Sequence, residues 1–424
     1  MTSLLSRTSV PWKKKIYLSI SVIVNIGLLF YFKYLFFFAD SANQILSFIG
    51  TDGRLNTPAI LLPVGISFYT FQTLGYTIDV YRGKIEREKN PVVFALFVSF
   101  FPQLVAGPIE RSADLLPQLR NIAHKKLWNA SDISDGLRLI TWGMFKKIVV
   151  ADRLAMYVNP IYNEPETFRG MSLILATVFF AFQIYCDFSG YSDIAIGVAR
   201  LFGVRLSKNF DAPYFARSLP DFWQRWHITL SKWFRDYLYI PLGGNRVSEM
   251  RWGFNIIIVF AVSGIWHGAN WTFAIWGLLH GGMYLASHYL SKMKSPFMYI
   301  PRWMQIPIQT FLVFVCVCVA WIFFRANTVH DAFLIIGNMF AFGDGWAYRW
   351  DAINVVSGEL TIALGLFGIL TVLLVDGLLK WITPDVRSSA KLAPMRLAFY
   401  TLLVFSLTLF GIQGPAQQFV YFQF

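Results

Sequence analysis

Charge is scarce in this chain. Asp, Glu, Lys and Arg together make up 14% of 424 residues against 56% hydrophobic, a balance that excludes an ordinary soluble domain. Cysteine is scarcer still: Cys186, Cys316 and Cys318 all lie in apolar runs with no metal-ligand spacing, and they read as small buried hydrophobes. Acidic residues are outnumbered 24 to 37, yet no Lys/Arg-rich tail or nucleic-acid motif is present. The basic excess therefore belongs to cytoplasmic loops facing lipid headgroups, and no nucleic-acid partner is expected. A signal peptide is not expected either, because residues 1–10 are polar and the apolar run behind them is too long for an h-region. Also missing are a serine-hydrolase elbow, an HExxH zinc site, a Walker loop and a dinucleotide fingerprint. No internal repeat is visible, which weakens a secondary-transporter reading.

Hydrophobic length is what the chain has instead. Several stretches suffice to cross about 30 Å of hydrocarbon as helices, so the fold class is an all-α, multi-pass membrane protein. Lys13-Lys14-Lys15 sets a cytoplasmic N-terminus for a first span over 16–38, from which Lys33 is expected to snorkel. Pro63 and Gly65 interrupt the apolar stretch 60–69 as a broken or re-entrant helix. A span over 92–106 follows, then 137–150, which is short, carries Lys146-Lys147 and is expected to be tilted or interfacial. Strong apolar runs occupy 171–188 and 254–287, the latter as two helices meeting at Gly268. Residues 306–324, 360–379 and 396–412 complete the set, the last two as plain scaffold. Roughly nine to eleven crossings or half-crossings are expected.

Three polar features interrupt this background. Asp187 and Asp193 sit six apart around Phe188-Ser189-Gly190-Tyr191-Ser192 at the end of a span. A paired-carboxylate acid/base site is one reading; capping of a new helix by Ser189 or Ser192 is the favoured one. Second, Ser218-Leu219-Pro220-Asp221 starts a helix. Along it Trp223, His227, Leu230, Phe234 and Tyr237 form one face, and Arg225, Thr229, Lys232 and Asp236 the other. Such a basic, tryptophan-rich amphipathic helix is expected to lie in the interface. His227 falls on its aromatic stripe, either as a satisfied core residue or as part of a site. Third, His267 stands in Ser263-Gly264-Ile265-Trp266-His267-Gly268-Ala269-Asn270-Trp271, deep in an apolar run. Ionisable groups at membrane depth are costly and usually serve a function.

A hydroxyl is a poor nucleophile at neutral pH and needs a positioned base. Neutral histidine suits that role, so these residues fit acyl transfer to a hydroxyl better than phosphoryl or hydride transfer.

In order along residues 12–326, the chain resembles the membrane-bound O-acyltransferase (MBOAT) family, alginate O-acetyltransferase type. The resemblance is carried by Leu62-Pro63-Val64-Gly65-Ile66-Ser67-Phe68-Tyr69, Ile78-Asp79-Val80-Tyr81-Arg82-Gly83, Phe101-Pro102 through Gly107-Pro108, and the Asp187–Asp193 stretch. It continues through Phe222-Trp223-Gln224-Arg225-Trp226-His227-Ile228, Arg235-Asp236-Tyr237-Leu238-Tyr239, Leu242-Gly243-Gly244-Asn245-Arg246, Trp266-His267-Gly268-Ala269-Asn270 and Trp321-Ile322-Phe323-Phe324-Arg325-Ala326.

The resemblance implies a single domain over 1–424, a helical body around a central tunnel, His267 as the catalytic histidine and His227 as the second active-site histidine. It implies an acyl thioester donor, acetyl-CoA, as substrate, with no bound cofactor or metal. The acetyl group would cross the bacterial inner membrane to a periplasmic acetyltransferase partner and reach a polysaccharide such as alginate, cellulose or peptidoglycan. Trp223, Trp226, Arg225 and Asn270 are the expected substrate contacts, Asn270 solely because it follows His267 by three residues. Members of this group carry roughly two further hydrophobic segments ahead of Lys13, so the family's N-terminal helices are expected to be missing. Rival readings are D-alanyl transfer from a carrier protein to teichoic acid, and a non-enzymatic transporter.

Overall fold

The structure, a computed structural model, describes residues 1–51, 53–58, 60–125, 129–293, 300–341, 358–381, 390–411 and 419–420, with side chains at 379–381 and 390 left out. No strand occurs among them. Five helices are long and apolar enough to cross a membrane: Pro11–Phe48, Met171–Leu201, Arg302–Arg325, Glu359–Leu378 and Ala393–Phe410. Their outer faces are bare hydrocarbon, with Ile23, Phe36, Phe311, Leu370 and Leu402 all exposed. That is the surface a bilayer covers, and an aqueous protein of this size would not sustain it. The expected end at Ile412 lies outside the described residues.

Met171–Leu201 is the axis of the body. It is one helix of 31 residues, most of its side chains buried, so the expected break after Phe188 does not occur. Ser189 and Ser192 are mid-helix and cap nothing. Asp187 and Asp193 are instead ion-paired with the preceding helical segment. Lys147 Nζ lies 2.7 Å from Asp187 and 2.7 Å from Asp152, and Lys146 Nζ lies 2.6 Å from Asp193. The Lys146-Lys147 segment is therefore not interfacial. Residues Ala130–Met144 continue through a π-helical turn, Phe145–Ala151, into Asp152–Asn163. The extra residue per turn brings two consecutive lysines round to the carboxylates. Burying both signs together offsets part of the cost that either alone would incur.

Other expectations are corrected by the same packing. Pro91–Val98 is only eight residues and breaks at Ser99, too short to span. Glu359–Trp381 is more than scaffold, because its Asp376 accepts a 2.7 Å hydrogen bond from Tyr185. Lys33 turns inward and does not snorkel. A π-helical turn, Phe30–Tyr34, aims its ammonium at the carbonyl oxygens of Trp266 and His267, 2.9 and 3.0 Å away.

Two features match the sequence reading. Ile66–Tyr81 starts abruptly after Gly65, whose φ of +75° and closeness to the Leu104 carbonyl both demand glycine. Glu249–His267 and Trp271–Lys292 form an antiparallel hairpin that breaks at Gly268. A Cβ on Gly264 would stand 2.2 Å from the Phe273 carbonyl oxygen, and one on Gly277 2.3 Å from that of Phe260. The two glycines let the backbones touch, which is how helices gain contact where solvent drives nothing.

Candidate functional site

The hairpin break and the 218–239 segment meet inside the body. Ser218 caps Leu219–Arg225 by accepting from Asp221 N–H at 3.2 Å, as its sequence foretold. The helix does not continue. His227 takes φ 42° and ψ 55°, and a second helix, Ile228–Phe234, starts behind it. Left-handed backbone is uncommon for a residue with a Cβ and persists only where its surroundings enforce it. The expected single amphipathic helix is thus two short ones at an angle. Nor do they lie at the interface, since Phe222, Trp226, His227, Thr229 and Leu230 are all buried. Tertiary packing around the aromatic stripe overrode a periodicity read as surface.

Asn209 enforces the bend. Its carbonyl oxygen accepts the Ile228 N–H at 2.9 Å. Its side-chain Oδ1 takes the Thr229 N–H at 3.3 Å, the Thr229 hydroxyl at 2.9 Å and His227 Nδ1 at 3.0 Å. The backbone N–H can only donate, so the amide presents oxygen here; Nδ2 points to the Ser192 hydroxyl, 3.2 Å away. An amide oxygen accepts and never donates, so His227 carries its proton on Nδ1. Nε2 then holds a lone pair, is fully buried and has no hydrogen-bond partner among the described residues.

His267 is the last residue of its helix and is 4% exposed. Its ring lies 5.0 Å from Trp266, 5.0 Å from Trp276 and 5.4 Å from Phe324, centroid to centroid. Trp266 is also 6.3 Å from His227 and stacks at 5.0 Å on Phe71, so one indole neighbours both histidines. Trp266 Nε1 is a buried donor without a partner among the described residues. Two cavities approach. One of about 610 Å³ is lined by Lys146, Asp193, Arg200, Lys208, Arg225 and Asn209, and so ends at the residue holding His227. A narrower one of about 240 Å³ includes Trp223, Arg235, Phe260 and Ser263, the last one turn before His267. Among the described residues no group of three His, Cys, Asp or Glu side chains is placed to hold a metal.

The profile of the MBOAT, membrane-bound O-acyltransferase family matches residues 85–330, which span both histidines and the hairpin. The chain belongs to this family. It is 39% identical over 345 residues to the probable alginate O-acetylase AlgI of Azotobacter vinelandii, covering 81% of this chain and 66% of that protein. It is 37% identical over 354 residues to the peptidoglycan O-acetyltransferase of Helicobacter pylori, covering 77% and 65%. A weaker likeness, 31% over 252 residues, reaches the teichoic acid D-alanyltransferase of Streptococcus thermophilus, covering 56% and 60%. The chain thus spans just under two thirds of the length of these relatives.

The remaining expected site residues of this MBOAT protein divide three ways. Trp223 borders the narrow cavity, and Arg225 borders the wide one while paired with Asp221 at 2.6 Å. Trp226 is buried behind them against Trp321, ring centroids 5.0 Å apart, and meets neither cavity. Asn270 is committed to the fold: Oδ1 caps the second hairpin helix by accepting from Thr272 N–H at 3.0 Å, and Nδ2 donates to the Asn327 carbonyl at 2.9 Å. Its amide oxygen and one of its two N–H donors are thereby engaged. Sequence reading missed Asn209, which looks like any loop asparagine. It also missed His280, a lone histidine in an apolar helix and hence detectable by the criterion that singled out His267.

Proposed function

We propose that this MBOAT-family protein transfers an acetyl group from a thioester donor, acetyl-CoA, to a hydroxyl on the path to a cell-envelope or secreted polysaccharide. The carrying observation is the pair of buried histidines that share Trp266 as a neighbour, one of them locked as the Nδ1–H tautomer by Asn209. The two relatives described above at 39% and 37% identity are named for O-acetylation of glycans. Alginate-type and peptidoglycan acceptors lie beyond the inner membrane, so the acetyl group crosses that membrane and a periplasmic acetyltransferase partner completes delivery. The basic 235–251 segment faces the cytoplasm by its Arg235, Arg246 and Arg251, and the donor enters from that side.

In the reaction, His267 accepts the hydroxyl proton as the oxygen attacks the thioester carbonyl. The C–S bond then breaks, the C–O bond is kept, and the proton passes from His267 to the leaving sulfur. His227 cannot feed the oxyanion, because its Nε2 offers only a lone pair; it orients the attacking hydroxyl or the His267 N–H. The developing negative charge falls to an N–H donor, and Trp266 Nε1, buried and flanking both rings, is suited to it. The D-alanyl alternative rests on the weaker likeness, and a transporter has no use for a tautomer fixed in this way.

The test is turnover of radiolabelled acetyl-CoA by purified protein in nanodiscs, with a glycan acceptor and the co-encoded partner. Wild type should turn over, while His267→Ala and His227→Ala should not, each with an unchanged thermal midpoint. Equal turnover in wild type and His267→Ala would remove His267 from the chemistry.

A further inference from the structure

Two of the membrane-crossing helices leave a gap between them. Arg302–Arg325 gives Ile306, Thr310 and Phe314 to one wall of a cavity of about 830 Å³, and Glu359–Trp381 gives Leu373, Leu374 and Leu378 to the other. Phe182, Tyr214 and Phe215 form its floor. Thr310 and Tyr214 carry the only side-chain oxygens of this lining, and the Tyr214 hydroxyl already donates to the Ala181 carbonyl. Leu374 and Leu378 are more than half exposed, as is Phe311 at the rim. The cavity is therefore a groove open to hydrocarbon, and an empty apolar gap forfeits the dispersion contacts of every group that lines it.

The groove is as deep as one leaflet. Arg302, Ile306, Thr310 and Phe314 follow one another every four residues and share one stripe of their helix. From Arg302 to Phe314 that stripe runs about 18 Å, against about 15 Å for half of a bilayer's hydrocarbon core. Trp303, beside Arg302, is 74% exposed, and an exposed tryptophan next to an arginine marks the headgroup level. The facing wall comes from the last turns of its helix, so both walls lie in the same leaflet.

Positive charge stands at the headgroup end. Arg302 heads the stripe. A Cβ added to Gly377 would come 3.5 Å from the Phe215 ring, so Phe215, and with it the loop that carries Arg217, sits near the end of the second wall. Both arginines are exposed, and neither side chain has an ion pair or hydrogen bond among the described residues. Trp276 packs on Phe324 and His280 on Trp321, which places Arg302 at the Lys292 end of the hairpin, the side of the basic 235–251 loop. Anionic headgroups gather opposite such loops.

We propose that this groove is a lipid site: one acyl chain of an anionic phospholipid lies between the two helices, and its phosphate pairs with Arg302 and Arg217. The floor links the site to the body. Tyr214 touches Tyr185 at 5.4 Å, and Tyr185 donates to Asp376 on the facing helix, both of them lining the wide cavity. The lipid chain thus backs the wall of that cavity and fastens Glu359–Trp381 to the protein. None of this depends on the acyl-transfer reading.

The experiment uses phosphatidylcholine nanodiscs doped with phosphatidylglycerol or phosphatidylcholine bearing a diazirine on one acyl chain. After irradiation, the labelled residues are mapped by mass spectrometry. In wild type, phosphatidylglycerol should label residues 306–314 and 373–378 about tenfold more than phosphatidylcholine does. Arg302→Gln combined with Arg217→Gln should bring the two lipids level. Thr310→Trp, which fills the groove, should abolish labelling there by either lipid while its thermal midpoint holds; Leu374→Trp fills it from the opposite wall should the first variant not fold. Unlabelled phosphatidylglycerol should raise the thermal midpoint of wild type and not that of the arginine variant. Equal labelling of wild type by the two lipids would mean ordinary boundary lipid and overturn the inference. So would a preference that survives loss of both arginines, or cross-links at the groove to a second copy of the chain in place of lipid.

Discussion

Lys33 holds the carbonyl of His267. Its Nζ lies 3.0 Å from that oxygen and 2.9 Å from the oxygen of Trp266, while the neighbouring Tyr34 hydroxyl donates to Ile265 at 3.0 Å. The last carbonyls of a helix have no partners within it, and the negative end of the helix dipole gathers there. A cation from the first span thus closes the helix that presents His267, tying residue 33 to residue 267 across the body.

Replacing Lys33 by Met should therefore cost stability and activity together. Charge-assisted hydrogen bonds contribute about 1.5–3 kcal/mol each, and buried carbonyls left without them are penalised further. The thermal midpoint of Lys33→Met in nanodiscs should drop, with acetyl transfer reduced, and Lys33→Arg should retain more of both. A Lys33→Met protein as stable and active as wild type would show that the contact does not matter.

Asn209 sets the proton of His227, so its variants should separate by what they offer Nδ1. Asn209→Leu removes the acceptor, frees the ring to adopt the other tautomer and releases the strained backbone at 227. Turnover should fall at least about tenfold, the equivalent of about 1.4 kcal/mol in the barrier. Asn209→Asp keeps an oxygen in place and should stay closer to wild type. Identical kinetics for the two would mean that the Nδ1 contact does not govern the reaction.

What the sequence could and could not reveal follows from the range of the interactions. The hairpin break was legible, because Gly268 is a local signal for ending a helix; the cap that Asn270 gives the next helix was not read. The start at Ser218 was legible as a local signal too. The bend at His227 was not: Trp223, His227, Leu230, Phe234 and Tyr237 keep helical spacing straight through it, and what breaks the helix is Asn209, eighteen residues upstream in sequence. The lysines at 146 and 147 looked interfacial because two of their three carboxylates, Asp187 and Asp193, lie forty or more residues on, with Asp152 alone nearby in sequence. At Asn270 the three-residue spacing from His267 carried no sign that its amide caps the next helix and donates to Asn327. Local grammar marks element ends; it carries no record of which buried charge finds which.

The Lys146–Asp193 pair offers a direct check on buried charge. The lysine side chain is 5% exposed and also donates to the Ser189 hydroxyl at 2.9 Å. Removing one partner of a fully buried pair costs about 3–5 kcal/mol, and here the cost is smaller because the Asp193 side chain is 23% exposed at the wide cavity. Lys146→Met should accordingly lower the thermal midpoint. Lys146→Met combined with Asp193→Asn should recover most of the loss. No recovery in the double variant would mean that the helices need the charges themselves and not only their balance.

Glu110 makes stability depend on pH. It lies outside the five candidate spans, 4% exposed, with Ser207 donating both its N–H and its hydroxyl to the carboxylate. Burial pushes its carboxyl up to about 7 from an ordinary 4.5, and the Ser207 hydrogen bonds oppose that rise without cancelling it. Between those two values the folded protein holds a proton that the unfolded chain has released. Stability from this group is therefore greatest at the acid end of the window, is lost as pH rises towards 7, and levels off above it. Glu110→Gln removes the titrating group while keeping one acceptor for Ser207. Across pH 5 to 8 in detergent, the thermal midpoint of wild type should fall relative to Glu110→Gln, with the two curves running parallel above about pH 8. Curves parallel over the whole range would mean that Glu110 titrates as an ordinary carboxylate, and the slope would then have to be sought in another buried acid.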